Sequence, residues 1–211
     1  ASLPQLKRAV EAIGKGDGSA ALSLLTPLSR RYPAIADYIA YWTAQALALQ
    51  KDYNGSARAV EPALRLQPES PVAGSAALVA ASSLLEAGNP RGAITMLSRV
   101  AEPRLPQPES LTVLARAREG VNDPVAASIA WQSVYFSFAN SPQAKDAGLA
   151  LARLETELGA AYPPPMPSSR FERAEKLLSL RRYQEARSEY QEIASLLDGS
   201  DREIASVRAA A

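Results

Sequence analysis

A short polar turn, followed by an alanine that opens an amphipathic run, recurs along this chain and constrains its fold more than any other feature. It occurs as Gly16-Asp17-Gly18-Ser19-Ala20-Ala21 and as Asp52-Tyr53-Asn54-Gly55-Ser56-Ala57. It returns as Gly88-Asn89-Pro90-Arg91-Gly92-Ala93 and as Asn122-Asp123-Pro124-Val125-Ala126-Ala127. The alanines 21, 57, 93 and 127 stand 36, 36 and 34 residues apart. A further copy, Arg182-Tyr183-Gln184-Glu185-Ala186, follows 59 residues after Ala127. Self-similarity at a fixed period of this length is the mark of a chain built from stacked supersecondary units.

The runs after the anchors have helical period. Ala21, Leu24, Leu25 and Leu28 fall at i, i+3, i+4 and i+7, and Ala127, Trp131, Val134, Tyr135 and Phe138 extend such a stripe to i+11. Ala186, Tyr190, Ile193, Ala194 and Leu197 make another, so each run presents one apolar face. The anchor alanine lets the second helix of a pair approach the first, where a larger side chain would overpack the contact. First helices are expected over about 3–15, 34–50, 71–87 and 107–119, and second helices over about 19–31, 54–66, 90–101 and 124–139. A ninth is expected at 142–158, with a further pair at 169–181 and 183–197 and another helix from about Asp201. Tyr32-Pro33, Gln67-Pro68, Glu102-Pro103 and Ser141-Pro142 mark helix exits, because the residue before proline avoids the helical region. Pro27 and Pro62 sit inside second helices and are expected to kink or split them. Gln-Pro-Glu-Ser occurs at 67–70 and again at 107–110, another trace of repetition. The expected fold is all-α, made of tetratricopeptide-like helix-turn-helix repeats. The alanine-rich composition, only 6% aromatic, suits closely packed helices better than a β-sandwich.

Gly159-Ala160-Ala161-Tyr162-Pro163-Pro164-Pro165-Met166-Pro167 interrupts the array with a stiff, extended, proline-rich segment. The expected organisation is a repeat array over 1–158, a linker over 159–168, and further helical repeats over 169–211. The last residues, Ser206 to Ala211, carry no cap or stop signal and are expected to be a helix cut short.

The residue inventory narrows the chemistry. With no cysteine and no histidine, disulfides, thiol catalysis, the usual zinc sites and a Ser–His–Asp triad are excluded. Twenty-three basic residues against 22 acidic ones argue against a large nucleic-acid footprint. No run of about 20 apolar residues is present to span a membrane, and no signal peptide is visible at the start. No dinucleotide, P-loop or zinc-protease motif occurs, and no cofactor is expected. The carboxylate pairs Glu155/Glu157, Glu172/Glu175 and Glu189/Glu192 could in principle serve a glycosidase. Their helical setting beside Arg153, Arg173 and Arg187 instead favours solvated, charge-paired faces. Tyr38, Tyr41 and Trp42 cluster on one helix, where they are candidates to stack on a sugar ring or to contact a partner. Core packing is the competing and favoured reading. Arg30-Arg31 and Arg181-Arg182 end helices, which suits capping of the helix dipole.

Several segments, taken in order, resemble one family. Ser29-Arg30-Arg31-Tyr32-Pro33 followed by Ala36 through Ala46 resembles the amino-terminal helical region of soluble lytic transglycosylases. So do Ser70-Pro71 with Ala76 to Ala81 and Leu85 to Pro90, the stretch from Trp131 to Pro142, and Arg173 to Leu178 followed by Arg182 to Arg187. The resemblance implies a right-handed α-α superhelix, a solenoid, that precedes a lysozyme-like domain cleaving peptidoglycan between MurNAc and GlcNAc with one glutamate. The family's Glu-Ser signature has formal matches at Glu69-Ser70 and Glu109-Ser110. Neither is followed by the Gly-Leu-Met-Gln-like segment, so no catalytic residue is carried over. The expectation is a non-catalytic scaffold in the bacterial periplasm. Its expected partners are peptidoglycan strands, its own carboxy-terminal catalytic domain and other envelope proteins. A free-standing adaptor that binds peptides or partner proteins is the alternative, and an independent hydrolase is disfavoured.

Overall fold

The computed structural model describes residues 3–66 and 69–210. The protein is all-α, with no strand among the described residues. In chain order the helices are α1 (Leu3–Gly14), α2 (Gly18–Arg31), α3 (Ala36–Leu49), α4 (Tyr53–Ala59), α5 (Glu61–Leu64), α6 (Ala73–Glu86) and α7 (Pro90–Leu97). They continue with α8 (Glu109–Gly120), α9 (Pro124–Ser137), α10 (Gln143–Leu158), α11 (Pro167–Ser179), α12 (Tyr183–Ile193) and α13 (Gly199–Ala210). The exit signal at Gln67-Pro68 lies outside the described residues. None of the described helices is long and apolar enough to cross a membrane.

One turn geometry accounts for the recurring sequence signal. Gly16, Lys51, Gly88, Asn122 and Arg181 each adopt a positive φ, between 59° and 79°. Each directly precedes the first residue of the next helix's cap. Backbone N–H groups of Asp17, Asp52, Asn89 and Arg182 reach back five residues to the carbonyls of Ala12, Leu47, Leu84 and Leu177, at 2.8–3.0 Å. This is the Schellman ending of a helix. The same residue then starts the next helix. Asp17, Asp52, Asn89 and Asp123 accept from the backbone N–H three residues on, at Ala20, Gly55, Gly92 and Ala126. Stop and start signals therefore share two adjacent residues, and the polypeptide reverses within a few residues.

The residue four after the cap begins the inner face. It is Ala21, Ala93, Ala127 and Ala186 in four copies, each at most 1% exposed. In the copy at Asp52 the equivalent residue is Ser56, whose N–H bonds to the Asp52 carbonyl, so the expected anchor Ala57 stands one residue late. The structural intervals from Ala21 through Ser56 and Ala93 to Ala127 are thus 35, 37 and 34. Ser56 is fully buried and satisfies its hydroxyl against Ser83 Oγ at 2.9 Å. Small residues here bring helices into backbone contact. A Cβ on Gly18 would stand 2.4 Å from the Ala46 carbonyl oxygen of α3.

The two internal prolines behave differently. Pro27 lies on an exposed face of α2, which continues through it, so the Ser23 carbonyl it releases is open to water. Pro62 divides the expected 54–66 helix into α4 and α5 because it falls in the first turn of α5, where a missing N–H costs nothing.

The chain falls into two compact units, Ala1–Val121 and Asn122–Ala211. The proline-rich segment lies within the second, where Gln132 Nε2 donates to the Pro163 carbonyl at 2.7 Å. In the first unit, Ala9, Ala21, Leu25, Leu28 and Ile39 form one apolar cluster, and Val60, Ala76, Ala80, Ala93 and Leu97 belong to another. Leu177, Ala186, Tyr190 and Ile193 are central to the second unit.

A left-handed residue with a side chain costs about 1 kcal/mol relative to glycine. Lys51→Gly is therefore expected to raise stability by about that amount, and Gly88→Ala to lower it by at least as much. Urea unfolding of the two variants checks both signs.

Candidate functional site

The second unit contains an open groove of about 520 Å³. Gly148, Leu151, Ala152 and Glu155 of α10 form one wall, and Glu185, Ser188, Glu189 and Glu192 of α12 form the other. Tyr135 and Phe136 of α9 with Arg170 and Arg173 of α11 make its floor, and Tyr162 and Pro165 its lip. Gly148 makes room for the floor, since a Cβ there would meet Tyr135 Cε2 at 3.0 Å.

An ion-pair lattice holds the floor in place. The Arg173 side chain is buried, donating from Nε to Glu189 Oε1 at 3.0 Å and from Nη1 to the Tyr135 carbonyl at 2.6 Å. Its guanidinium lies 3.6 Å from the centroid of the Tyr135 ring. Arg170 pairs with both Glu189 and Glu192. Burial pushes the Tyr135 phenol above its usual range, opposed by the positive charge of Arg173. Glu189 is 7% exposed, which corrects the expectation of a solvated face for this residue, while Glu192 is exposed as expected. The reason is helical register: Ala186, Glu189, Tyr190 and Ile193 share the inner face of α12, and Arg173 meets that face from α11.

The cations of this unit also complete the end of α9. Arg173, Lys176 and Arg182 donate to the carbonyls of Tyr135, Ser137 and Ala139, at 2.6, 2.8 and 2.9 Å. These acceptors at and just beyond the end of α9 would otherwise turn to water, and positive charge there opposes the helix dipole. Arg182 thus closes α11 through its backbone N–H while its side chain reaches the carbonyl just past the end of α9, and it stands at the start of α12. Its guanidinium also binds Glu185 and holds that carboxyl below the usual range. On the same face of α12 as Glu189, Tyr190 hydrogen-bonds Glu175 at 2.6 Å, and burial pushes its phenol up to about 12.

The remaining sequence candidates lie elsewhere. In α3, Tyr38 is exposed, Trp42 packs against the α1–α2 cluster, and Tyr41 packs against the cluster that contains Ala76 and Ala93. The Tyr41 and Trp42 rings are 4.7 Å apart. Burial raises the Tyr41 phenol. On α9, Trp131 is 4% exposed and Phe136, absent from the expected stripe, is 5% exposed, and Tyr135 and Phe136 both line the groove. Glu69 pairs with Arg104 at 2.7 Å, and Glu157 with Arg153 at 3.5 Å. Among the described residues, no group of three or more His, Cys, Asp or Glu is placed to hold a metal ion. No family model matches the sequence, and no curated protein matches it.

The groove thus offers aromatic faces and fixed charges on a preorganised floor. Most of its charge is paired: of the four carboxylates that line it, Glu189 and Glu192 pair with Arg170 or Arg173, and Glu185 pairs with Arg182. Loss of one member of the buried pair strands the other. Glu189→Gln is expected to lower stability by about 3 kcal/mol, whereas Glu157→Gln, which breaks an exposed i,i+4 pair, should change it by less than about 0.5 kcal/mol. Denaturant unfolding separates the two.

Proposed function

We propose that this chain is the non-catalytic helical scaffold of a periplasmic peptidoglycan lytic transglycosylase. Its tetratricopeptide-like repeats continue as a right-handed superhelix that braces a carboxy-terminal catalytic domain and guides glycan strands. The observation that carries the reading is the ordered set of segments that resemble the helical region of that family. The segments fall on the helices described above and on the turns that join them. Tyr38, exposed on α3, and the aromatic floor of the groove are surfaces suited to stacking on sugar rings.

A free-standing adaptor in the cell envelope is the second reading. The groove favours it, because a preformed cavity of mixed charge and aromatic character, walled by helices, is a common setting for peptide recognition.

Purified sacculi discriminate between these readings. The scaffold reading expects the chain to sediment with sacculi, to do so less after Tyr38→Ala, and to release no 1,6-anhydro-muropeptides. Sedimentation indistinguishable from that of an unrelated helical protein would leave the adaptor reading. Release of anhydro products would contradict both.

A further inference from the structure

The first unit holds a second cavity, of about 280 Å³, between α7 and α8 under the 98–107 segment. Ile94, Leu97, Val100, Leu105, Leu111 and Leu114 give it an apolar lining. Ser98, Glu102, Gln107, Ser110 and Arg118 also line it, and of these polar groups Gln107 Oε1 and Ser110 Oγ are buried without a hydrogen-bond partner in the protein. Ser110 is only 2% exposed.

The repeated Gln-Pro-Glu-Ser string shows why this is unusual. Ser70, the serine of the first copy, is equally buried and donates to Asp37 Oδ2 of α3 at 2.6 Å. Its carbonyl accepts from Arg104 at 3.2 Å. In the second copy no protein acceptor takes the place of Asp37, and a cavity stands beside the serine. Buried polar atoms in folded proteins are overwhelmingly satisfied, and one left unmade costs its full desolvation. An apolar cavity of this size with a hydroxyl donor and a carboxamide acceptor on its wall has the make-up of a ligand site.

We propose that this cavity binds a peptide segment by one aliphatic side chain and its flanking amide. The side chain fills the space among the leucines. The peptide N–H donates to Gln107 Oε1, and the peptide carbonyl accepts from Ser110 Oγ. A donor and an acceptor held side by side on an apolar residue are what the two orphaned groups require. A carboxylate would leave Gln107 Oε1 unmade, and a hydrocarbon would leave both. This assignment does not rest on the transglycosylase reading.

The test uses the full chain labelled with ¹⁵N and three probes: acetyl-Ala-Leu-Ala-amide, its analogue methylated on the leucine nitrogen, and acetyl-Ala-Glu-Ala-amide. The expected result is a saturable shift of the Leu97, Leu111 and Leu114 amides with the leucine peptide. The methylated analogue should bind about three- to tenfold more weakly, the loss of one hydrogen bond, and the glutamate peptide should not saturate. Ser110→Ala carries the second readout. Removing an unsatisfied hydroxyl should raise the thermal midpoint of the free chain while weakening the leucine peptide by about three- to tenfold. Any of three results would overturn the proposal: no saturable shift at those amides, equal affinity for the methylated peptide, or a lower midpoint in Ser110→Ala.

Discussion

Four of the five helical reversals marked by the recurring signal depend on a pair of adjacent residues, one left-handed and one capping, while at Arg181-Arg182 the left-handed residue is present without a side-chain cap. The left-handed residue closes the outgoing helix, and its neighbour accepts the first free N–H of the incoming one. Because both jobs fall within two residues, the incoming helix starts at a fixed rotation to the outgoing one. The fourth residue after the cap is then obliged to face inward. Only a small side chain fits there, which explains the alanines and the serine at position 56. Spacing, burial and the choice of small residues are three consequences of one backbone event.

In the second unit this scaffold carries a different kind of constraint. Arg173 is at once a hydrogen-bond donor to the end of α9, the partner of Glu189 and a cover for the Tyr135 ring. A buried guanidinium is costly unless it is paired and hydrogen-bonded, and here Nε bonds Glu189 and Nη1 the Tyr135 carbonyl, which ties α9, α11 and α12 together. The groove floor is therefore preorganised by the same contacts that hold the unit. That is the property a binding surface needs and an incidental crevice lacks.

Helix positions were largely legible because apolar period, caps and prolines speak with one voice along most of the chain. The misses have specific causes. Ala57 competes with Ser56 for the anchor position, and apolar counting prefers the alanine; only the bond from Ser56 N–H to Asp52 reveals the register. Glu189 looked solvated because charged residues usually are, yet its position three after Ala186 placed it in the buried stripe, opposite an arginine. Pro62 and Pro27 differ only in where they fall relative to a helix start. The serine of Gln-Pro-Glu-Ser was visible as a repeat, but whether a partner waits for it depends on a distant helix, which supplies Asp37 in one copy and nothing in the other.

The central claim is that equivalent turns set these four helical reversals, and it can be measured directly by removing each cap in turn. Asp17→Ala, Asp52→Ala, Asn89→Ala and Asp123→Ala, followed by denaturant unfolding, should each cost about 1 kcal/mol. The backbone amides of Ala20, Gly55, Gly92 and Ala126 should then lose hydrogen-exchange protection at the altered turn alone. Four caps that can be removed without loss of stability or protection would contradict the account.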